Sequence, residues 1–442
     1  MAEARTVRVM VEYPADREHD VQVVLRELRE KHSFEPDLAF PAVQIRPPKD
    51  KQAELKRTGQ LFFLVRGTMK LKGAPPHHST FRIWADTRID PFCQSCVDCT
   101  TAGRPVGDVA RVVKELGVDW IWGAGYTGSG IVVGVVDAGI TAYGRPVRPG
   151  EAAAIPCPPA TGQVIGGWPP PDQQGQGGWG TTSVGWGQHG NMMAFDVQAI
   201  APEAKLWDIR VWSPETGSAA GNFAAYVSNA VAGYRAAINA PPPDRPHILT
   251  NSWGLYDSGN DPQFAFSPES PLARMVEEAL DVGMLVLFAA GNCGTGCQSD
   301  PDTLCGGGDR GPGNSILGPN GHSRVMTVGA ANLQGAWCGY TSQGPAALSP
   351  YDVEKPDFCS YTRFDGFFPT ADPTLRDFDG GTSAATAIAA GVVALLKQRS
   401  PGLTQEDAKR ALRGTAQDIR APGFDTDSGA GIIQAKSAFK RL

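Results

Sequence analysis

The sequence predicts an α/β protein with a mainly parallel β-sheet covered by helices on both faces, preceded by a small α+β domain. From about residue 113, short apolar runs recur, and each is followed by a Gly-rich or polar turn and a helical pattern. Apolar strands that alternate with helices are typical of a parallel sheet buried on both faces. Residues 1–88 instead combine alternating strands with an amphipathic helix. These two patterns predict two domains of different construction.

The composition excludes several classes of protein. The chain has 442 residues, with 40 Lys and Arg against 46 Asp and Glu, so its net charge is −6. This charge argues against nucleic-acid binding, which normally needs a basic surface. There is no run of about 18 apolar residues, so we expect no membrane span. The first residues lack the apolar core of a signal peptide, so we expect a cytoplasmic location.

The small domain is predicted over residues 1–88. TVRVMVEYP is expected to be a strand, and REHDVQVVLRELREKH an amphipathic helix. Three further strands are predicted in FPAVQIRP, QLFFLVRGTM and STFRIWADTRI, whereas KDKQAELKRTG fits a short helix or a loop. Residues 89–112 read as a cysteine-containing linker, and residues 113–442 as the large α/β domain.

The parallel sheet is predicted from five apolar runs in chain order. They are IVVGVVDAG, AKLWDIRVW, HILTNSWG, MLVLFAAGN and RVMTVGAAN. Ligands of such sheets bind at the carboxyl ends of the strands. Polar residues at those ends are therefore the first candidates for chemistry.

Three polar residues stand at ends of elements. Asp137 directly follows a buried strand, His189 begins a helical segment, and Ser383 follows Gly-Gly-Thr at the start of a long small-residue helix. Taken singly, each has an ordinary structural explanation as a turn Asp, a structural His or a helix-capping Ser. Together they supply an acid, a base and a nucleophile. Asn292, after MLVLFAAG, adds an amide that could donate to a developing oxyanion.

Residues 113–442 resemble the subtilase (subtilisin-like) family of serine peptidases. The resemblance rests on GVDWIWGAGYTGSGIVVGVVDAGI, QHGNMMAFDVQAIAPEAKLWDIRV, ILTNSWG, LFAAGN, YTSQGP, EKPDF, GGTSAATAIAAGVVALL and SGAGIIQAKSAF. Any one of these segments is unspecific, but their common order is highly specific. The resemblance implies a subtilisin-like fold and hydrolysis of peptide bonds through an acyl-enzyme.

The resemblance also implies a role for each residue. Ser383 attacks the scissile carbonyl, His189 moves the proton, and Asp137 orients the imidazole. Asn292 and the Ser383 N–H hold the oxyanion. The substrate is a polypeptide, and two short segments line its site: Ser252, Trp253 and Gly254, and Ala289, Ala290 and Gly291. Most of these side chains are small, which predicts room for a sizeable substrate residue.

The chain departs from the usual pattern of the family in four places. Ala138 follows the Asp where Ser or Thr is usual, and Asn191 stands where Thr is usual after His-Gly. Ala387 replaces a Pro four residues after the Ser, and Ile388 replaces a frequent His. None of these changes removes an atom that the chemistry needs.

Residues 1–88 resemble the propeptides of subtilases in size and position. One interpretation is that this domain packs on the catalytic domain and restrains it. The other is an independent recognition domain.

The nine cysteines are odd in number and, with a reducing compartment expected, do not predict a full disulfide framework. Two clusters are weak candidates for a structural zinc site, with ordinary packing thiols as the favoured interpretation: Cys93, Cys96 and Cys99, and Cys293, Cys297 and Cys305. DSGNDP at 257–262 is a weak calcium candidate and fits a turn better. The chemistry itself requires no cofactor.

The sequence therefore predicts a serine endopeptidase, acting as an intracellular processing or regulated protease that matures a peptide. Two alternatives remain open. One is a catalytically silent, subtilase-like module that binds peptides, and the other is a broad scavenging protease.

Overall fold

The computed structural model describes residues 5–15, 21–71, 81–91, 105–141, 164–170, 178–181, 187–214, 223–296, 305–347, 354–367 and 378–442. Its strands are β1 (Arg5–Ala15), β2 (Phe34–Pro36), β3 (Val43–Gln44), β4 (Leu61–Leu71), β5 (Arg82–Ala85), β6 (Arg88–Pro91), β7 (Val132–Asp137), β8 (Val164–Trp168), β9 (Lys205–Arg210), β10 (Trp212–Pro214), β11 (Phe223–Tyr226), β12 (Ile248–Asn251), β13 (Trp253–Gly254), β14 (Leu285–Ala289), β15 (Met326–Ala331) and β16 (Phe358–Tyr361). Its helices are α1 (Val21–His32), α2 (Lys49–Thr58), α3 (Val109–Leu116), α4 (Val118–Gly123), α5 (Gly187–Ile200), α6 (Val227–Asn239), α7 (Pro262–Phe266), α8 (Pro271–Asp281), α9 (Gly381–Arg399), α10 (Gln405–Arg413) and α11 (Ala435–Arg441).

The centre of the molecule is a seven-stranded sheet in the order β16-β15-β14-β12-β7-β9-β8. Every neighbouring pair in it runs parallel. All five apolar runs singled out in the sequence contribute strands to it. The prediction of an α/β fold with a mainly parallel sheet is therefore confirmed.

Both faces of the sheet are buried, as the unbroken apolar runs predict. Along β7, Val133 and Val135 belong to the core that includes α5 and α9. Val132 and Val136 point to the other face and join the core that includes α6 and α8. The helices on the two faces hold the sheet in place. The candidate site residues follow the carboxyl ends of its strands.

The N-terminal part of the chain forms its own antiparallel sheet in the order β2-β4-β1-β5. One face packs on α1 through Leu25 and Leu28. The opposite face, which carries Met10 and Leu64, shares a core with α6 and α8. The segment that fitted either a helix or a loop is helix α2, which ends at Gly59 in a left-handed conformation with φ 72°.

Polar groups also join this sheet to the helices behind the parallel sheet. The buried carboxylate of Glu12 accepts a hydrogen bond from the buried guanidinium of Arg274 on α8. Arg235 on α6 donates to the Gln44 carbonyl at 2.6 Å. Asp86 accepts from the backbone N–H of Ser228 at 3.0 Å. The N-terminal domain thus docks through both apolar and ionic contacts.

One predicted strand is divided in the structure. The sequence suggests a single strand in STFRIWADTRI, whereas β5 ends at Ala85 and β6 begins at Arg88. The buried side chains of Asp86 and Thr87 separate them, because they bond to Ser228 and Asp261 of the larger domain. As a result, β6 leaves the N-terminal sheet and pairs elsewhere.

Within the described residues, no helix has the length and apolar character needed to cross a membrane.

Candidate active site

Asp137 is the last residue of β7 and lies at the carboxyl edge of the parallel sheet. Its side chain is buried, and Oδ1 accepts a hydrogen bond from the backbone N–H of Ala138 at 2.7 Å. Among the described residues, no donor reaches its Oδ2, which is also buried. The hydroxyl that the family usually carries at position 138 is absent here, so this oxygen lacks one obvious donor.

His189 lies in the first turn of α5 and is only 3% exposed. Its Nδ1 lies 2.7 Å from Oδ1 of Asp137. A carboxylate at Nδ1 stabilises the tautomer that carries its proton on that nitrogen, which leaves the lone pair on Nε2. The pair therefore has the arrangement expected of an oriented general base.

A glycine contact brings these two residues together. A Cβ atom on residue 190 would overlap the carbonyl oxygen of Gly139, so α5 begins in direct contact with the loop after β7. Asn191 fixes the same loop, since its Oδ1 accepts from the N–H of Thr141 at 2.8 Å and its Nδ2 donates to the Thr141 hydroxyl at 2.9 Å. The unusual Asn191 thus holds the loop beside the Asp–His pair.

Ser383 is fully buried in the first turn of α9. Its Oγ donates to the carbonyl of Ser252 at 3.1 Å, and the Ser252 hydroxyl donates back to the Ser383 carbonyl at 3.2 Å. These reciprocal bonds join the start of α9 to the segment between β12 and β13.

Asn292 follows β14 and is 6% exposed. Its Oδ1 accepts from the backbone N–H of Thr382 at 3.1 Å and from the Thr382 hydroxyl at 2.9 Å. The same hydroxyl oxygen accepts from the Gly291 N–H at 3.2 Å. These bonds fix Oδ1 of Asn292 on the side of Thr382. The Asn292 NH₂ group therefore faces away from Thr382. Thr382 was not singled out in the sequence, although its place beside Ser383 was a usable signal.

Of the residues predicted to bind substrate, Trp253 and Gly254 form β13 and pair with β6 of the N-terminal part. Pro91 lies opposite Trp253, and Asp90 lies opposite Gly254. On its other side, β6 pairs with β11, so that four strands follow the order β10-β11-β6-β13. The backbone of β13 that was predicted to bind substrate is therefore paired with β6 of the same chain.

The two predicted substrate segments are linked by a residue that the sequence analysis missed. Asn320 is buried, and its Nδ2 donates to the carbonyls of Trp253 and Ala289, both at 2.9 Å. The Trp253 indole is itself fully buried and donates to the Val136 carbonyl at 2.8 Å. The Trp253 ring is thus part of the core, so only its backbone remains available for the predicted contact with substrate.

Asp208 is a second missed residue. It lies on β9 beside Val135 of β7, and its Oδ2 accepts from the Gly180 N–H at 2.6 Å. Burial raises the pKa of Asp208 to about 7, and the charge of Asp137 contributes to the rise. A carboxyl group that titrates near neutral pH therefore anchors a surface segment close to the Asp–His pair.

The prediction of free or metal-binding thiols after Asn292 is wrong for two cysteines. Cys293 and Cys305 form a disulfide, so neither is a thiolate ligand or a free packing thiol. The spacing could not reveal this, because the pairing depends on how the intervening loop folds back. Cys93, Cys96, Cys99 and Cys297 lie outside the described residues, and within the described part of the chain no group of metal-ligating side chains is found.

The 257–262 segment is a turn, as its favoured interpretation predicts. Oδ1 of Asp257 accepts from the Gly259 N–H at 2.8 Å, and Asp261 caps α7 by accepting from the Phe264 N–H at 3.0 Å. Both carboxylates therefore hold the turn together, and Asp261 also accepts from the Thr87 hydroxyl of the N-terminal part.

Comparisons with known proteins show what the chain as a whole is similar to. The subtilase family model matches residues 128–431. Serine protease AprX of Bacillus subtilis (strain 168) is 28% identical over 342 residues, which cover 71% of this chain and 66% of AprX. The match thus spans just under two thirds of the length of AprX. Mycosin-1 of Mycobacterium tuberculosis (strain ATCC 25618 / H37Rv) is 28% identical over 341 residues, which cover 71% of this chain and 69% of that protein.

The fold also resembles a solved structure. Fervidolysin from Fervidobacterium pennivorans, described as a keratinolytic enzyme related to subtilisin, superposes with a TM-score of 0.60 at 17% identity. The alignment covers 99% of this chain and 61% of that one. This likeness supports the fold, including the N-terminal part.

The disulfide yields a stability prediction. It closes a loop with a sequence separation of 12, so replacing both Cys293 and Cys305 by Ser should lower the free energy of unfolding by about 3 kcal/mol through the greater entropy of the unfolded chain. Denaturant titration of the two proteins without reductant measures this difference. With reductant, the two curves should approach each other, and a gap that persists would contradict the assignment.

Proposed function

The chain belongs to the subtilase family, and we propose that it is a serine endopeptidase that cleaves polypeptides through an acyl-enzyme on Ser383. The 2.7 Å contact between Asp137 and Nδ1 of His189 is the observation that carries this proposal. It supplies an oriented base at the sheet edge where the helix bearing Ser383 begins.

The proposed reaction uses the side chains in a fixed order. Nε2 of His189 takes the Ser383 proton, which in the resting structure is donated to the Ser252 carbonyl. Oγ then attacks the substrate carbonyl, and the buried Asp137 carboxylate stabilises the imidazolium that forms. His189 afterwards returns the proton to the leaving amine. Water repeats these steps in the opposite sense to release the acyl group. No step requires a cofactor.

The oxyanion of the tetrahedral intermediate would be held by the Asn292 amide and the Ser383 backbone N–H. Because Oδ1 of Asn292 already accepts from Thr382, the amide is oriented before substrate arrives. Donors fixed in advance stabilise developing charge without reorganisation at the moment of reaction.

We also propose that the N-terminal domain restrains the peptidase by placing β6 in the cleft. Besides pairing with β11 and β13, β6 is held by the Tyr256 hydroxyl, which donates to the Pro91 carbonyl at 3.0 Å. Such a contact fits a regulated or processing protease better than a scavenging one, since substrate must displace the resident strand. An independent recognition domain would have no need to enter the cleft.

The proposal also covers the cellular compartment in which the protein works. The sequence-based expectation was cytoplasmic, but disulfides are rare in reducing compartments. The Cys293–Cys305 bond supports work in an oxidising compartment. Rapid alkylation of free thiols in cells, followed by mass mapping of Cys293 and Cys305, would decide between the two.

The nucleophile is tested with a fluorophosphonate probe. Wild-type protein should gain the mass of one probe, whereas Ser383→Ala should gain none, because only an activated serine reacts. Intact mass also shows whether the chain has been cut after Pro91. If the restraint is released and Ser383 still does not react, the alternative of a catalytically silent peptide-binding module takes its place.

The oxyanion role is tested with Asn292→Ala. We expect kcat to fall by about 10²–10³-fold, the loss found when the equivalent donor of a subtilisin is removed, with little change in KM. Steady-state kinetics on a peptide substrate measures both constants. If kcat is unchanged and KM instead rises by a similar factor, Asn292 acts in substrate binding and not in holding the oxyanion.

The restraint is tested in the full chain with Ile89→Asp. Ile89 is fully buried in β6, so a carboxylate there should expel the strand from the cleft at a cost of roughly 2 kcal/mol or more. The rate of hydrolysis of a short peptide should then rise by at least about tenfold. Val23→Asp is the matched control, since Val23 is 59% exposed in the same domain. Equal rates in the two variants would refute the restraint.

A further inference from the structure

A second pair of carboxyl groups lies behind the candidate active site. Asp196 stands on α5 seven residues after His189, or about two helical turns, and therefore on nearly the same face of the helix. Asp379 precedes Ser383 by four residues. Both side chains are fully buried. The resemblance to subtilases assigns neither of them a role.

The backbone holds Asp379 firmly. Its N–H donates to the Phe364 carbonyl at 3.0 Å, and its carbonyl accepts from the Arg363 N–H at 2.7 Å. Its Oδ2 accepts from the Phe367 N–H at 2.8 Å. Position 366 is a glycine because a Cβ there would overlap Oδ2 of Asp379. This carboxyl group is therefore fixed in place immediately before the Gly-Gly-Thr-Ser segment.

Asp196 has a different environment. No N–H or hydroxyl of the described residues donates to either of its carboxyl oxygens, although both are buried. The neighbouring ionisable group is the carboxyl group of Asp379. The adjacent Phe195 packs on Phe367, with ring centroids 6.1 Å apart, so apolar contacts accompany the carboxyl contact.

Two ionised carboxylates cannot hydrogen-bond, because each is an acceptor only. A proton on Asp196 would let its hydroxyl donate to the carboxyl group of Asp379. Burial, and then the neighbouring Asp379, raise the pKa of Asp196 well above its ordinary value, which favours its protonated form. Asp379, which already accepts from the Phe367 N–H, is the natural acceptor of the pair.

Other charged groups stand on the elements packed around α5. They are His189 on α5, Asp137 on β7, Arg111, Lys114 and Glu115 on α3, Lys397 and Arg399 on α9, and Arg363 and Asp365 in the segment that pairs with Asp379. The rise in the pKa of Asp196 comes from burial first and from the neighbouring Asp379 second. The backbone N–H of Arg363 donates to the Asp379 carbonyl, whereas its guanidinium carbon lies over the Phe378 ring, 4.6 Å from the ring centroid.

We propose that Asp196 and Asp379 are positioning residues, and that a proton shared between their carboxyl groups holds the helix of His189 against the segment that leads to Ser383. The inference rests on the proposed peptidase function, because the contact between the two carboxyl groups would hold His189 and Ser383 at the correct positions relative to each other. Loss of the proton leaves two buried anions side by side. Their repulsion and the cost of burying both charges separate α5 from the start of α9.

This arrangement sets the direction of two pH effects. A carboxyl group whose pKa is raised by folding binds its proton more tightly in the folded state. The free energy of unfolding therefore falls as pH rises from the ordinary Asp pKa toward the raised one. The same deprotonation lowers kcat on the alkaline side, whereas protonation of His189 limits the acid side.

The test uses Asp196→Asn in the full chain. The amide donates to the Asp379 carboxylate at every pH, so this variant should keep neutral kcat within about threefold and lose the alkaline decline. Asp196→Ala removes the bond, and kcat should fall on the order of tenfold or more with KM nearly unchanged, because a small misplacement of catalytic groups is costly. Asp244→Asn, at an exposed Asp, is the control and should retain the wild-type pH profile.

Unfolding measurements from pH 4 to pH 10 on wild type, Asp196→Asn and Asp244→Asn complete the experiment. Wild type and the control should lose stability with rising pH, and Asp196→Asn should lack that slope. Identical slopes in all three proteins, or an alkaline decline in kcat that Asp196→Asn retains, would overturn the proposal. Unfolding needs no catalysis, so the unfolding measurements stay informative even if Ser383 proves unreactive. Failure of the proposed Asp196–Asp379 contact and failure of the proposed peptidase function are therefore distinguishable.

Discussion

Close packing around helix α5 is the constraint on which the rest of the site depends. At its start, Gly190 touches the loop after β7, where a side chain would meet the carbonyl of Gly139. At its other end, a Cβ on Gly391 of α9 would lie 2.7 Å from the Val197 carbonyl. These two glycines let backbone approach backbone on both sides of the helix. The position of His189 therefore depends on how α5 packs against the loop after β7, the strand that carries Asp137, and against α9, the helix that carries Ser383.

The sequence predicted the sheet well, because a strand buried on both faces needs an unbroken apolar run, and such runs are visible in the chain. It singled out Asp137 and Asn292 for a related reason, since polar residues that follow such runs lie at one edge of the sheet, and His189 because it begins a helical segment. It did not predict Asn320 or Asp208. Their importance comes from carbonyl and amide groups on other strands, and those neighbours are not encoded in local spacing.

The division of STFRIWADTRI shows a second limit. The local pattern is that of one strand, but Asp86 and Thr87 bond to Ser228 and Asp261, more than a hundred residues away. Tertiary hydrogen bonds thus override local propensity, and they direct β6 to the position between β11 and β13. The Cys293–Cys305 bond is a similar case, because pairing of cysteines follows the path of the loop between them. Composition and spacing carry no information about that path.

A strand that is covalently attached to the domain it occupies competes with substrate at a high effective concentration. For a short tether this concentration is in the millimolar range, and it does not fall when the protein is diluted. An apparent KM measured on the full chain would therefore contain the equilibrium for release of β6 as well as the affinity of the open cleft. Substrates that bind through many subsites would gain most, since each added strand contact helps to displace β6. The resident strand would thus act as a filter for peptide length before any side chain is recognised.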